Sequence, residues 1–291
     1  MNAHELKNRV KNLTIWKNGD QRAPHKPLLM LYALSQLKHS RTRFIPYVEV
    51  REKVGLLLKE FGPARKSYHP EHPFVRLKND GLWELNHEIQ NNQFTNKMLL
   101  EHKFAGGFTK DVYQLLRADY SLVDEVVQMI LESHFPETFH TDILDALDLE
   151  LFTATKKRVR DKAFREKVLK AYEYSCAVCN FNLHLSHQLV GVEAAHIKWH
   201  HAGGPDREEN GIALCSLHHK LFDRGVFTIS EKRKLIVSEF AHGNEGYRQW
   251  VLKYHDKEIR EPINPNYFAN QRYLEWHFRE VFRSPGRIIA V

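Results

Sequence analysis

Asn210-Gly211-Ile212-Ala213-Leu214-Cys215-Ser216-Leu217-His218-His219-Lys220-Leu221-Phe222-Asp223 is the stretch that decides how the second half of this chain folds. An Asn-Gly turn leads into an apolar run of strand character, then into a segment with ligands at helical spacing. His219 and Asp223 stand four apart, so a helix would put them on one face, where they could share a divalent ion. The neighbouring His218 would point elsewhere. Upstream, Cys176-Ala177-Val178-Cys179 answers Cys215-Ser216-Leu217-His218. C-x2-C followed by C-x2-H is the ligand set and knuckle spacing of a closed tetrahedral zinc site. The chain has only three cysteines, and all of them fall in this pattern. An odd, sparse set placed beside histidine argues for a metal rather than a disulfide framework.

His196 lies between, in Glu193-Ala194-Ala195-His196-Ile197, followed by a Gly203-Gly204-Pro205-Asp206 turn. Hydrolysis of a phosphodiester needs an activated water, a base to take its proton, and positive charge beside the phosphate and leaving oxygen. His196 suits the base, since a neutral imidazole titrates near operating pH. Asn210 is placed to tie the loop that holds its ring. Taken singly, each residue has a plain alternative: a satisfied histidine, an ordinary turn.

As an ordered set, His196, Asn210, His219 and Asp223 resemble the HNH, or ββα-metal, nucleases, and the Cys176/Cys179/Cys215/His218 quartet resembles their zinc-stapled subgroup. The resemblance implies a β-hairpin carrying His196, a helix carrying His219 and Asp223, a structural Zn2+, and a catalytic divalent ion, Mg2+ or Mn2+ foremost. Many relatives have a metal ligand immediately before the base. Here that position is Ala195, and Glu193 is expected to reach the ion only through a bulge in the strand.

The first half reads as mainly helical. Candidate helices cover 5–17, the apolar run 28–34 behind Pro27, 48–60, 109–117, 121–132 and 139–150, and a further helix runs up to Tyr174. Pro63, Pro70 and Pro73 interrupt the segment 62–81. Leu77, Leu82, Trp83 and Leu85 suggest short strands about an Asn79-Asp80-Gly81 turn, and Gly106-Gly107 reads as a break. The expected fold class is α+β: a helical DNA-reading domain with short strands over 1–152, joined to a ββα-metal nuclease domain over 153–291. The core of the latter is placed at about 174–228, with a C-terminal extension behind it.

Three segments of the first half resemble the sulfur-binding domain of McrA-like, modification-dependent HNH restriction endonucleases. They are Ala23-Pro24-His25-Lys26-Pro27-Leu28 with the apolar run that follows, Phe61-Gly62-Pro63-Ala64-Arg65-Lys66-Ser67-Tyr68-His69-Pro70, and Asn79-Asp80-Gly81-Leu82-Trp83-Glu84. The tail Trp276-His277-Phe278-Arg279-Glu280-Val281-Phe282 extends the resemblance over nearly the whole chain. It implies an apolar pocket for the sulfur of phosphorothioated DNA. His72 and Pro73 match the family's aromatic–proline pair, with histidine where tyrosine is common. His25 and Lys26 are the matching phosphate contacts, and Arg76, Asn79 and Lys97 are secondary ones. Sulfur is softer and more weakly hydrated than oxygen, so an apolar wall favours it while basic groups meet the diester charge. Tyr68, Phe74 and Trp83 read as core.

Composition agrees with this reading. There are 43 Lys and Arg against 36 acidic residues, for a net charge of +7 with histidine neutral. Residues 119–150 hold nine acidic side chains and no Lys or Arg, whereas 156–170 hold eight basic ones, so a phosphate backbone would avoid the former. The composition switch sets an expected boundary near 152–160. No apolar run reaches the ~20 residues of a membrane span, so the expected location is the cytoplasm. The expected partner is double-stranded DNA carrying the phosphorothioate modification, and cutting both strands with one site per subunit suggests a homodimer or paired binding events. The competing readings are an HNH nuclease for methylated or unmodified DNA, and a catalytically inactive modified-DNA binder.

Overall fold

The computed structural model describes residues 1–16, 18–40, 42–90, 93–151 and 162–288. The chain forms two compact units, Met1–Lys156 and Lys157–Val291. The expected boundary near 152–160 and the first part of the basic stretch fall outside the described residues.

The first unit is helical around a small antiparallel sheet. Its elements are α1 (Ala3–Lys11), α2 (His25–His39), β1 (Phe44–Pro46), α3 (Tyr47–Phe61), α4 (Glu71–Arg76), β2 (Trp83–Leu85), α5 (Asn96–Glu101), β3 (Ala105–Phe108), α6 (Lys110–Ala118), α7 (Tyr120–His134) and α8 (Glu137–Ala146). Helix α2 is buried continuously from Pro27 to Ser35, so it is the central helix of the unit rather than an amphipathic surface one. Helices α3 and α7 pack against it with Val50, Val54, Leu57 and Leu58, and with Val123, Val126, Val127 and Ile130.

Three sequence expectations need correction here. Helix α1 ends at Lys11 instead of running to 17, because the Thr14 amide donates to Asp80 Oδ1 (2.8 Å) and draws the chain away. Residues 77–80 form a 3-10 turn, not one arm of a hairpin. Trp83–Leu85 pairs instead with Ala105–Phe108, giving the sheet order β1-β3-β2. Gly106 and Gly107 therefore lie within the central strand and do not break the chain. A Cβ on Gly107 would sit 1.7 Å from the Arg43 carbonyl oxygen, so glycine is what lets β1 approach. Phe74 and Trp83 are fully buried, in contact edge to face, and belong to the core; Tyr68 is half-buried.

The second unit contains α9 (Lys162–Ala171), β4 (His184–Leu185), β5 (Gln188–Leu189), β6 (Val192–His196), β7 (Gly211–Cys215), α10 (Ser216–Asp223), β8 (Phe227–Ile229), β9 (Leu235–Val237), α11 (Glu245–Trp250) and α12 (Gln271–Glu280). Helix α9 stops at Ala171, short of Tyr174, as Glu173 and Tyr174 take left-handed backbone angles that no helix continues. β6 and β7 form an antiparallel hairpin, and α10 follows without a gap. Gly211 lies opposite His196. A Cβ there would come within 2.3 Å of Val168 Cγ2, so the glycine lets α9 pack directly on the hairpin.

The aromatic tail after residue 240 divides between core and surface. Tyr273 and Trp276 are buried, while Trp250 and Phe278 are exposed. His277 stacks on Phe222 at 3.7 Å between centroids, and its Nε2–H donates to the Phe222 carbonyl (3.1 Å). Helix α12 thereby braces the C-terminal end of α10.

Candidate active site and DNA-reading surface

Cys176 and Cys179 come from the turn after α9, Cys215 from the end of β7, and His218 from the first turn of α10. One ligand atom from each of the four lies within 4.8 Å of all the others. His218 Nδ1 is 3.1 Å from Cys215 Sγ and 3.6 Å from Cys176 Sγ. Its Nε2 is 2.8 Å from the Trp250 carbonyl oxygen, which can only accept, so Nε2 carries the proton and Nδ1 turns its lone pair to the thiols. Three sulfur donors and an imidazole with its tautomer fixed are compatible with a structural zinc ion.

On the other side of α10, His219 is buried with Asp223, whose Oδ2 is 3.3 Å from His219 Nε2. Asp223 Oδ1 accepts from the Trp199 indole (2.8 Å). Glu193 Oε2 lies 2.6 Å from His219 Nδ1, and Glu193 Oε1 accepts from the Ser216 hydroxyl. Glu193 and Asp223 thus meet opposite nitrogens of one ring. With Nδ1–H given to Glu193, the Nε2 lone pair and Asp223 Oδ2 lie side by side, a donor pair that a divalent ion could bridge. These residues fit a divalent ion at His219 Nε2 and Asp223. Glu193 cannot be a ligand of the same ion through that contact, because the two ring nitrogens point apart. The expectation that Glu193 needs a bulge is corrected: pairing along β6 is continuous from Val192 to His196, and alternate residues of a strand share a face.

His196 stands at the end of β6. Its Nε2–H donates to Asp206 Oδ1 at 2.7 Å, which leaves Nδ1 as the basic atom. Phe164 of α9 stacks on the ring, with centroids 4.1 Å apart and planes within 13°. Burial pulls the His196 pKa below its ordinary value against the opposing pull of Asp206, so the ring is neutral at pH 7. Asn210 is fully buried. Its amide donates to the Lys198 and Pro205 carbonyls and its oxygen accepts from the Lys198 amide, which clamps the loop on both sides of the site.

Sequence reasoning named His196, Asn210, His219 and Asp223 but missed Asp206, Phe164, Trp199 and the orienting place of Glu193. Asp206 was visible only as the end of a Gly-Gly-Pro-Asp turn.

In the first unit, His25, His69 and His72 lie close enough for charge on one to be felt by the next. Burial foremost, then His72 and His69, holds the His25 pKa at about 4. His72 is half-buried, edge-on to Phe94 at 5.5 Å, and its pKa is lowered by burial and then by Arg76. Pro73 is buried and Arg76 is exposed. Lys26 Nζ pairs with the buried Asp80 Oδ2 at 2.5 Å, so its charge is already engaged. Lys97 is exposed and near Glu101 one turn on, and Asn79 is exposed. His25, His72 and Arg76 are thus brought into one neighbourhood, and Lys26 is committed to Asp80.

Comparison with known proteins gives two matches to family models. Residues 176–230 match the HNH endonuclease model, and residues 3–152 match the ScoMcrA-like, DNA sulfur-binding domain model. No curated protein matches the sequence. Among solved structures, the chain is similar to the sulfur binding domain of SprMcrA complexed with phosphorothioated DNA (21% identity, TM-score 0.44, 51% of this chain and 95% of that one). It is also similar to the corresponding domain of ScoMcrA with phosphorothioated DNA (21%, 0.41, 49% and 94%). A third is the modification dependent TagI restriction endonuclease (20%, 0.31, 44% and 43%). With the first model covering more than half of its length, the chain belongs to the ScoMcrA-like DNA sulfur-binding domain family, and it carries an HNH endonuclease domain behind that domain.

Proposed function

We propose that this protein is a phosphorothioate-dependent DNA endonuclease that restricts DNA carrying the sulfur modification. The observation that carries the reading is the pairing, in one chain, of a sulfur-binding domain with an HNH hairpin-and-helix, in which His196 ends β6 and Asp223 of α10 is near enough for its charge to be felt at His196. Residues 1–152 are assigned to DNA reading and 153–291 to cutting, in the cytoplasm.

His72 and Pro73 are assigned to the sulfur wall, with His25, Arg76, Asn79, Lys97 and, on release from Asp80, Lys26 on the phosphates. In the second unit the Cys176/Cys179/Cys215/His218 set would hold Zn2+, which fixes the end of the hairpin to the start of α10. His219 and Asp223 would hold the catalytic divalent ion, Mg2+ or Mn2+, whose positive charge would stabilise the phosphate and the departing 3′ oxygen. His196 Nδ1 takes the proton from the attacking water, while Asp206 and Phe164 keep the ring aimed. Asn210 keeps the loop behind His196 closed. Each subunit has one such site, so two subunits, as a homodimer or by paired binding, would cut the two strands.

The test is cleavage of matched duplexes with and without one phosphorothioate, with Mg2+ or Mn2+ supplied. Cutting of the modified duplex alone is expected. Equal cutting of both would remove the sulfur-reading claim, and tight binding without cutting would leave a reader protein. A second expectation concerns Glu193. Loss of a group that orients a metal-bound histidine costs about 10- to 100-fold in ion affinity or activity. Glu193→Ala should therefore shift the Mn2+ titration of cleavage upward by about that factor, with much of the rate recovered at saturating ion. An unchanged titration would mean that Glu193 orients nothing that matters.

A further inference from the structure

The first unit holds a cluster of His69, Glu71 and His72, of which the DNA-reading assignment uses only the face of the His72 ring. The carboxylate of Glu71, at the start of α4, is buried, with its side chain 9% exposed. Glu71 Oε1 is 2.9 Å from His69 Nδ1, and Oε2 accepts from the Asn96 amide at 3.0 Å. The ion pair it makes among the described residues is with a histidine, and neither Lys nor Arg answers it. One residue further on, His72 Nδ1 is buried with no hydrogen-bond partner. One ligand atom from each of His69, Glu71 and His72 falls within 4.8 Å of the other two.

A buried carboxylate needs compensating positive charge, and a buried imidazole nitrogen needs a partner. One cation at the centre of the three side chains would meet both needs. Two imidazoles and a carboxylate form the donor set that suits Zn2+, Ni2+ or Co2+, and three protein ligands leave a position open to water or another ligand. His69 is already oriented from behind by the Ser67 hydroxyl at its Nε2 (2.9 Å), and Glu71 by Asn96, the outer contacts expected around metal-binding side chains. We infer that His69, Glu71 and His72 form a further binding site for a late transition-metal dication, separate from both metal positions of the second unit.

The site can be counted without DNA, so the result does not depend on the proposed function. The full-length protein is equilibrated with excess Co2+, desalted and assayed for bound metal. Its visible spectrum distinguishes nitrogen and oxygen ligation from the near-ultraviolet thiolate bands of the cysteine site. The same is done for His69→Gln and for Glu71→Gln. His69 is half-exposed, so the first variant should fold, and an unchanged melting temperature checks this. The parent is expected to hold one more equivalent of Co2+ than either variant, with the thiolate bands equal in all three. Proton NMR of the parent should also show the His69 and His72 ring signals moving as Zn2+ is added beyond the two equivalents that the cysteine site and His219/Asp223 would take up. Equal metal counts in parent and variants, or ring signals that do not move, would overturn the site.

Discussion

Replacing His196 with alanine should lower the rate of DNA cleavage by about 10²- to 10⁴-fold, the usual contribution of a positioned base, while DNA binding is preserved. The side chain is aimed by two neighbours that do not depend on substrate, the Asp206 carboxylate at Nε2 and the Phe164 ring on its face. Truncation therefore removes the proton acceptor without disturbing the Asn210 clamp, which holds backbone groups of Lys198 and Pro205. The pH dependence has a definite sign. The working form is the neutral ring, and burial sets its pKa below 6.5. Cleavage should rise with pH on the acid side of that value and be flat from neutrality upward. Asp206 opposes the burial shift, so Asp206→Asn should move the rise to still lower pH while costing rate through lost aim. Single-turnover rates across about pH 5 to 8, which bracket the ordinary imidazole pKa of roughly 6.5, check both statements. Full cleavage by His196→Ala would remove His196 as the base.

How much of this could be read beforehand follows from the range of the interactions. The candidate ligand pairs Cys176/Cys179, Cys215/His218 and His219/Asp223 are each three or four positions apart, so spacing alone makes them geometric neighbours. Helix α2 announced itself through a continuous apolar run, and α3 through Val50, Val54, Leu57 and Leu58 at helical intervals. The rest depends on where distant segments meet. Asp206 reaches His196 because a ten-residue excursion folds back, Phe164 because α9 lies on the hairpin, and Glu193 because the hairpin register sets it beside α10. Gly106-Gly107 misled for the same reason. Glycine looks like a break when only its chain neighbours are considered, and its cause here is the Arg43 carbonyl, more than sixty positions away in sequence. Lys26 looked like a free phosphate contact until the fold brought Asp80 to it.

Stripping metal from the cysteine site should unfold the second unit and leave the first intact. Structural zinc contributes on the order of 10–16 kcal/mol in small zinc modules, while a whole domain is stable by only about 5–15 kcal/mol. Loss of the ion is therefore comparable to everything that holds this unit together. The position of the ligands makes the loss cooperative. Cys176 and Cys215 are buried in the same apolar cluster as Val192, Ile212, Leu214 and Phe222, and Cys215 is the residue at which β7 passes into α10. Freed of metal, the thiols and the His218 imidazole would be buried polar groups crowded together, and opening the hairpin relieves them. Opening it also separates His196 from His219 and Asp223, since the former ends β6 and the latter two lie on α10. The first unit has its own core around α2 and none of these ligands. Treatment with a strong zinc chelator, or the change Cys215→Ser, should leave a protease-resistant fragment ending near residue 151. Cleavage should vanish and fail to return when Mg2+ alone is added back, while binding to phosphorothioated duplex persists. A chelated protein shown by metal analysis to be zinc-free, yet with an undigested second unit and an unchanged melting curve, would mean that the four ligands do not hold the unit together.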